Sequence, residues 1–131
     1  MLVKDHMTKN PLVFRPDEDV TVAFSKITDR NVRQAPVVED GKLMGIVTDR
    51  DLRMALVQSD TQPGLQVRSV MTSDPVTVKE NSYLREAARV ISRNKFNALP
   101  VLSDSGELVG VLTTTDILNG LVKALDSVKE L

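Results

Sequence analysis

The sequence predicts an α/β fold made twice over: two β-α-β-β-α repeats related by pseudo-two-fold symmetry, their sheets covered by helices. Three observations predict it. The halves of the 131-residue chain lie on one another when the sequence is shifted against itself. Within each half, apolar residues switch between helical and strand spacing in the same order. The composition needs no disulfide or metal, because a chain of this length buries about two-thirds of its unfolded surface.

A shift of 64 residues lays Val3 on Val67, Met7-Thr8 on Met71-Thr72 and Pro11 on Pro75. It also lays Ala23 on Ala87, Ile27 on Ile91, Pro36-Val37 on Pro100-Val101 and Asp40 on Asp104. One extra residue near Ser105 then moves the register. Beyond it Gly41 matches Gly106, Leu43 Leu108, Gly45 Gly110, Thr48 Thr113 and Asp51 Asp116. An ordered match with a single slip in a turn marks a duplicated structural unit. The expected organisation is repeat 1 over 1–57, a linker over 58–66, and repeat 2 over 67–131 with an extended C-terminal helix. Ser59, Asp60, Thr61, Pro63 and Gly64 give the linker its turn-forming composition.

Each element has its own signal. A short helical turn (Val3 to Met7; Val67 to Met71) leads through Pro11 or Pro75 into an extended run, Leu12-Val13-Phe14 or Val76-Thr77-Val78. A helix follows, with Val20, Ala23, Phe24 and Ile27 at i, i+3, i+4 and i+7, and Leu84, Ala87, Ala88 and Ile91 in the second copy. Ala35-Pro36-Val37-Val38 opens a strand at proline, and Asp40-Gly41 turns it back into Leu43 to Val47, most simply as an antiparallel hairpin. The second copy turns through Asp104-Ser105-Gly106. A second helix starts after Thr48 or Thr113. In the last helix Leu118, Leu121, Val122, Leu125 and Val128 make an apolar stripe toward the C-terminus. Packing within the monomer and a dimer interface both fit that stripe.

Charge and composition exclude several functions. The net charge is −1, with acids and bases interspersed, and three phenylalanines and one tyrosine are the only aromatics. That speaks against a nucleic-acid surface, which needs clustered cations or stacking rings. No apolar run approaches the ~20 residues that span a membrane, and no signal peptide opens the chain, so a soluble cytoplasmic protein is expected. There is no cysteine, which removes thiolate metal sites and cysteine nucleophiles. The single histidine, His6, has no counterpart in the second repeat, where Val70 stands, and no nucleophile elbow, zinc-protease or phosphate-loop pattern occurs. His6 is best taken as a solvated side chain, and the chain as not an enzyme.

The motif that repeats and carries chemistry is Gly-x-x-Thr-x-x-Asp: Gly45, Thr48 and Asp51, then Gly110, Thr113 and Asp116. Thr-x-x-Asp at a strand-to-helix junction fits a capping box, with Thr as N-cap and Asp three residues in. It also fits a ligand site. Free N–H groups and the positive dipole end at a helix N-terminus suit a phosphate. An aspartate there would repel phosphate and accept instead from a neutral diol such as ribose. Glycine on the strand would let a ring approach the backbone. The spacing alone does not choose between cap and site.

Two copies of Met-Thr-x-x-Pro, an amphipathic helix, Pro-Val-Val/Leu and Gly-x-hydrophobic-Thr-x-x-Asp resemble a tandem pair of CBS domains, a Bateman module, across residues 1 to 122. The opening Met-Leu-Val-Lys-Asp-His-Met is similar to acetoin-utilisation-type CBS proteins, in which a further small domain follows, so the chain is a complete small protein or a truncated one. The resemblance implies a non-catalytic regulatory, energy- or ligand-sensing module that binds AMP, ADP or ATP, with S-adenosylmethionine or NAD as alternatives and no required cofactor or metal. It implies clefts between the repeats and a homodimer through the helices, acting on an unknown regulated protein.

Residue by residue, Asp51 and Asp116 resemble the ribose-binding aspartates of that family, and Thr48 and Thr113 their hydroxyl companions. Ile46, Met71, Val76 and Phe96 would surround one base, and Val111, Met7, Leu12 and Val32 the other. Arg33 and Arg50 are the cations suited to phosphate. Their counterparts are Asn97 and Thr115, so the Asp51 site is expected to favour the more highly charged nucleotide. The competing expectation is a structural dimerisation domain without ligand, its motifs serving only as helix caps.

Overall fold

A computed structural model of the chain describes residues 1–59 and 64–128, with residues 58 and 59 described by backbone alone. Residues 60–63 of the expected linker lie outside the described residues. The chain divides into two compact units, and their boundaries differ from those of the repeats. One unit is Pro11–Pro75; the other joins Met1–Asn10 to Val76–Leu131. Each repeat has given its opening segment to the other.

In the Pro11–Pro75 unit the elements are α1 (Val20–Asp29), β1 (Gln34–Glu39), β2 (Lys42–Thr48), α2 (Asp49–Ser59) and β3 (Thr72–Ser73). The sheet order is β1-β2-β3, antiparallel throughout. Phe14 adds a parallel bridge to Val37 at the β1 edge. The hairpin turn places Asp40 at φ 51° and Gly41 at φ 79°. Positive φ at both central residues matches the right-handed twist of the flanking strands, and Asp-Gly tolerates it. Asp19 caps α1 by accepting from the Thr21 N–H at 2.7 Å. The α1 stripe buries Val20, Ala23 and Ile27 against Phe14, Val37, Val47, Leu52 and Val67.

The other unit repeats this plan with β4 (Val78–Lys79), α3 (Leu84–Asn94), β5 (Ala98–Leu102), β6 (Leu108–Thr113) and α4 (Thr114–Leu125). Its sheet runs β4-β5-β6, with β4 parallel and β6 antiparallel to β5. Thr8 bridges antiparallel to Val111 on β6. Val3, Leu84, Ala87, Val101 and Leu112 form its core.

The same bonds seat the exchanged segments in both units. Val67 and Arg68 donate to the Glu18 and Pro16 carbonyls at 2.8 and 2.9 Å, and Val20 donates to Leu65 at 3.0 Å. Val3 and Lys4 donate to Ser82 and Glu80 at 2.9 Å each, and Leu84 donates to Met1 at 2.9 Å. Val3 and Val67 are completely buried, each contributing roughly 1.5–3 kcal/mol of apolar burial. Leu65 and Gln66, expected in the linker, thus already belong to the Pro11–Pro75 unit.

One expectation needs correction. The last helix does not extend to the C-terminus: α4 has twelve residues against eleven in α2 and ends at Leu125, leaving Val128 outside it. The cause is local. The Ser127 hydroxyl and backbone N–H both donate to the Ala124 carbonyl, at 2.6 and 3.3 Å, and close the final turn.

The glycines of the repeated motif are where the exchanged segments press on the sheets. A Cβ on Gly110 would sit 2.8 Å from the Thr8 carbonyl oxygen and 2.8 Å from Met7 Sδ; one on Gly45 would sit 2.6 Å from the Thr72 oxygen and 2.9 Å from Met71 Sδ. Backbone on one side leaves no room to yield. Gly110→Ala is therefore expected to destabilise the fold by about 1–3 kcal/mol, the range of overpacking. A denaturant midpoint unchanged from the parent would contradict this close packing.

Candidate functional site

Thr48 ends β2 and Thr113 ends β6, so each motif lies where a strand passes directly into a helix. Thr113 has extended geometry (φ −98°, ψ 164°) and its hydroxyl accepts from the Asp116 N–H at 3.1 Å. Asp116 Oδ2 accepts in return from the Thr113 N–H at 2.9 Å. Thr48 and Asp51 make the same reciprocal pair at 3.0 Å each way. The capping box is therefore built in both repeats. It uses only Oδ2 of each carboxylate, although an ionised carboxylate has about four acceptor sites.

Oδ1 differs between the junctions. Among the described residues, Asp51 Oδ1 has no hydrogen-bond donor. Asp116 receives a further one: the Thr8 hydroxyl lies 3.1 Å from Oδ2 and 3.3 Å from Oδ1. Thr8 is held there by mutual backbone bonds with Val111, at 2.8 and 3.0 Å. All four motif side chains, Thr48, Asp51, Thr113 and Asp116, are half-buried, open enough for solutes yet shielded from bulk water.

The anion seat expected at the helix N-termini is largely taken. In α2 the Asp49 N–H donates to the Arg33 carbonyl at 2.8 Å, the Arg50 N–H to Asp49 Oδ1 at 2.8 Å, and the Asp51 N–H to Thr48. In α4 the Thr114 N–H donates to the Asn97 carbonyl at 3.0 Å and the Asp116 N–H to Thr113. A phosphate at the Asp51 junction would thus depend on side-chain cations. Arg33 and Arg50 are exposed and form no ion pair among the described residues. The Arg33–Asp49 backbone bond brings their two chain positions to the same sheet end.

Each junction draws on both repeats. With Thr48 and Asp51 stands Ile46, whose antiparallel partner is Thr72, next to Met71. With Thr113 and Asp116 stands Val111, paired to Thr8 next to Met7. Of the remaining expected base contacts, Leu12 and Val32 belong to the Pro11–Pro75 unit, and Val76 and Phe96 to the other. Val32 and Phe96 close the ends of α1 and α3, their N–H groups donating to Ile27 and Ile91 at 3.2 and 3.1 Å. Val111 is buried core. The glycines do not leave space for a ring, as the sequence suggested; Met7, Met71 and the crossing backbone fill it.

Sequence reasoning missed two residues. Thr8 was visible as part of the repeated Met-Thr pair but carried no sign of its hydroxyl contact. Gln34 is the register partner of Thr48, and its buried Nε2 has no hydrogen-bond partner among the described residues. The second repeat has Ala98 there, opposite Thr113.

A CBS-domain sequence profile matches residues 3–58 and again 67–123. The chain belongs to the CBS-domain family. A CBS domain-containing protein of Dictyostelium discoideum is 34% identical over 139 residues, covering 98% of this chain and 96% of the relative. Among solved structures, CBSX2 in complex with AMP matches with a TM-score of 0.83 and 30% identity, covering 94% of this chain and 97% of its own. A protein from Vibrio cholerae named for acetoin utilization matches with a TM-score of 0.86 and 28% identity, covering 100% and 97%. The CBS pair of MJ0100 with 5′-methylthioadenosine and S-adenosylmethionine matches with a TM-score of 0.80 and 27% identity, covering 95% and 98%. These agree with the tandem CBS pair expected from the motifs. No helix among the described residues is long and apolar enough to cross a membrane, and none of their acidic and histidine side chains cluster as a metal site.

The CBS caps give a direct test. Thr113→Ala removes the acceptor for the Asp116 N–H and is expected to cost about 1 kcal/mol, while Thr113→Ser retains it. Equal melting temperatures for the two variants would show that the capping bond contributes nothing.

Proposed function

We propose that this chain is a non-catalytic regulatory module that binds an adenine nucleotide at its two Thr-x-x-Asp junctions. The observation that carries the proposal is the division of labour within each carboxylate. Oδ2 closes the helix cap, and accepting capacity is left for a hydroxyl. At Asp116 a hydroxyl, that of Thr8, already lies within bonding distance. A ribose diol presents the same donor twice. The AMP-bound CBSX2 relative supports AMP, ADP or ATP as ligand, and the MJ0100 pair supports S-adenosylmethionine as the alternative. Thr48 and Thr113 would hold the carboxylates in place, Ile46, Met71, Met7 and Val111 would flank the bases, and Arg33 and Arg50 would meet phosphate.

Regulation needs a ligand that binds two states unequally, and the effect on a partner is bounded by that difference, commonly ~1–3 kcal/mol. The other state would be read by a second copy of the chain. Met1, Tyr83 and Leu84 with Ile117, Gly120 and Leu121 line an apolar groove of about 640 Å³ between α3 and α4. Beside it Leu118 and Val122 are more than half exposed, in the stripe that fits packing within the monomer or a dimer interface.

Three measurements test this. In a melting panel of AMP, ADP, ATP, S-adenosylmethionine and NAD, the true ligand at 100 times Kd stabilises by about 2.7 kcal/mol. Asp51→Ala should weaken titrated affinity by roughly 1.5–3 kcal/mol, as for hydrogen bonds to a charged group, and Asp116→Ala should weaken it as well. A scaffold whose motifs are caps alone would melt earlier in both variants and bind nothing. For the groove, Leu121→Asp is expected to turn a dimer into a monomer in sedimentation, and a parent chain that is already monomeric would remove the dimer.

A further inference from the structure

The two junctions share a backbone plan but differ in what is bound to the carboxylate. Asp116 is engaged by the Thr8 hydroxyl, at 3.1 and 3.3 Å, in addition to its cap. Thr72, which stands in the place of Thr8 and pairs with Ile46 as Thr8 pairs with Val111, makes no hydrogen bond to Asp51. A second difference points the same way. Gln34, across the sheet from Thr48, keeps a buried amide donor without a partner among the described residues, whereas Ala98 has no donor to offer. A buried donor left unpaired is costly, and a ligand acceptor placed against it recovers that cost.

We infer that the junctions fill in order: nucleotide binds first at Asp51, and Thr8 holds the Asp116 junction back by occupying its carboxylate with an internal hydroxyl. This rests on the nucleotide reading above and adds to it a self-ligand at one site. A ribose hydroxyl reaching Asp116 must displace Thr8, and the displaced side chain is free to turn to water because Thr8 is exposed. At Asp51 no such exchange is needed, and the Gln34 amide adds a donor for the ligand. The net binding at Asp116 is thus the difference of two similar bonds, and at Asp51 the whole of one.

Calorimetric titration with AMP tests the order. Asp51→Ala isolates the Asp116 junction, and Asp116→Ala isolates the other. Adding Thr8→Val to the Asp51→Ala protein should tighten AMP binding about three- to ten-fold, less than a full hydrogen bond to a charged group because the position is exposed. Thr8→Ser should restore the parent affinity, and Thr8→Val should change nothing in the Asp116→Ala protein. Gln34→Ala should weaken AMP binding in the Asp116→Ala protein and leave the Asp51→Ala protein unchanged. The backbone pairing of Thr8 with Val111 does not involve its side chain, so Thr8→Val should stay folded and, without AMP, melt only slightly earlier than the parent, by the free energy that it gains in binding. AMP binding at Asp116 that is unchanged or weakened by Thr8→Val overturns the self-ligand while leaving the nucleotide module intact. AMP binding to none of the variants, with all of them folded, removes both together.

Discussion

The structure depends on one backbone pairing made twice: a Met-Thr segment lying antiparallel along the strand that leads into Thr-x-x-Asp. At Thr8 and Val111 it takes the form of two N–H to carbonyl bonds of 2.8 and 3.0 Å. At Thr72 and Ile46 it is the two-residue strand β3. Main-chain groups on a strand edge must find partners or stay in water. Here the partner comes from the other repeat, which is why each compact unit needs both halves of the sequence. The glycine of the motif follows from this pairing, since any side chain there would strike the crossing carbonyl.

At Thr8 the same pairing also brings a hydroxyl to the carboxylate of the helix cap. The capping box orients the carboxylate and fixes one of its oxygens. A cap of this kind is preorganised, so a second donor arriving at the carboxylate meets a group that has already lost its rotational freedom. Cap and proposed binding site would therefore not be rivals for the aspartate. They would use different lone pairs of one side chain, with the helix cap holding the carboxylate in place.

Local and periodic features were legible in the sequence. The i, i+3, i+4, i+7 series at Val20 to Ile27 and at Leu84 to Ile91 announced α1 and α3, and most of its members are buried. Asp40-Gly41 announced the hairpin, because that turn is decided by two adjacent residues. The exchange of opening segments was not legible. It joins residues more than a hundred positions apart, as Thr8 and Asp116 do, and such a contact leaves no periodic trace. Duplication hides it further, since a copy looks the same whether its first residues close its own sheet or its neighbour's. The capping boxes were legible from the Thr-x-x-Asp spacing, while the hydroxyl on Asp116 and the unpaired amide of Gln34 depend on side-chain placement that spacing does not encode.

Because the opening segment of each repeat completes the other, a single repeat is not a self-sufficient piece of protein. Cut free, either half would lose a wholly buried valine from its core, Val67 in one case and Val3 in the other, and would bare the edge of β2 or β6. An ancestor carrying one repeat could meet the same need only by pairing with its own copy, each chain lending its first ten residues to its neighbour. In one polypeptide the loan is permanent, and the two junctions need not be alike: one has Gln34 and two arginines, the other Thr8.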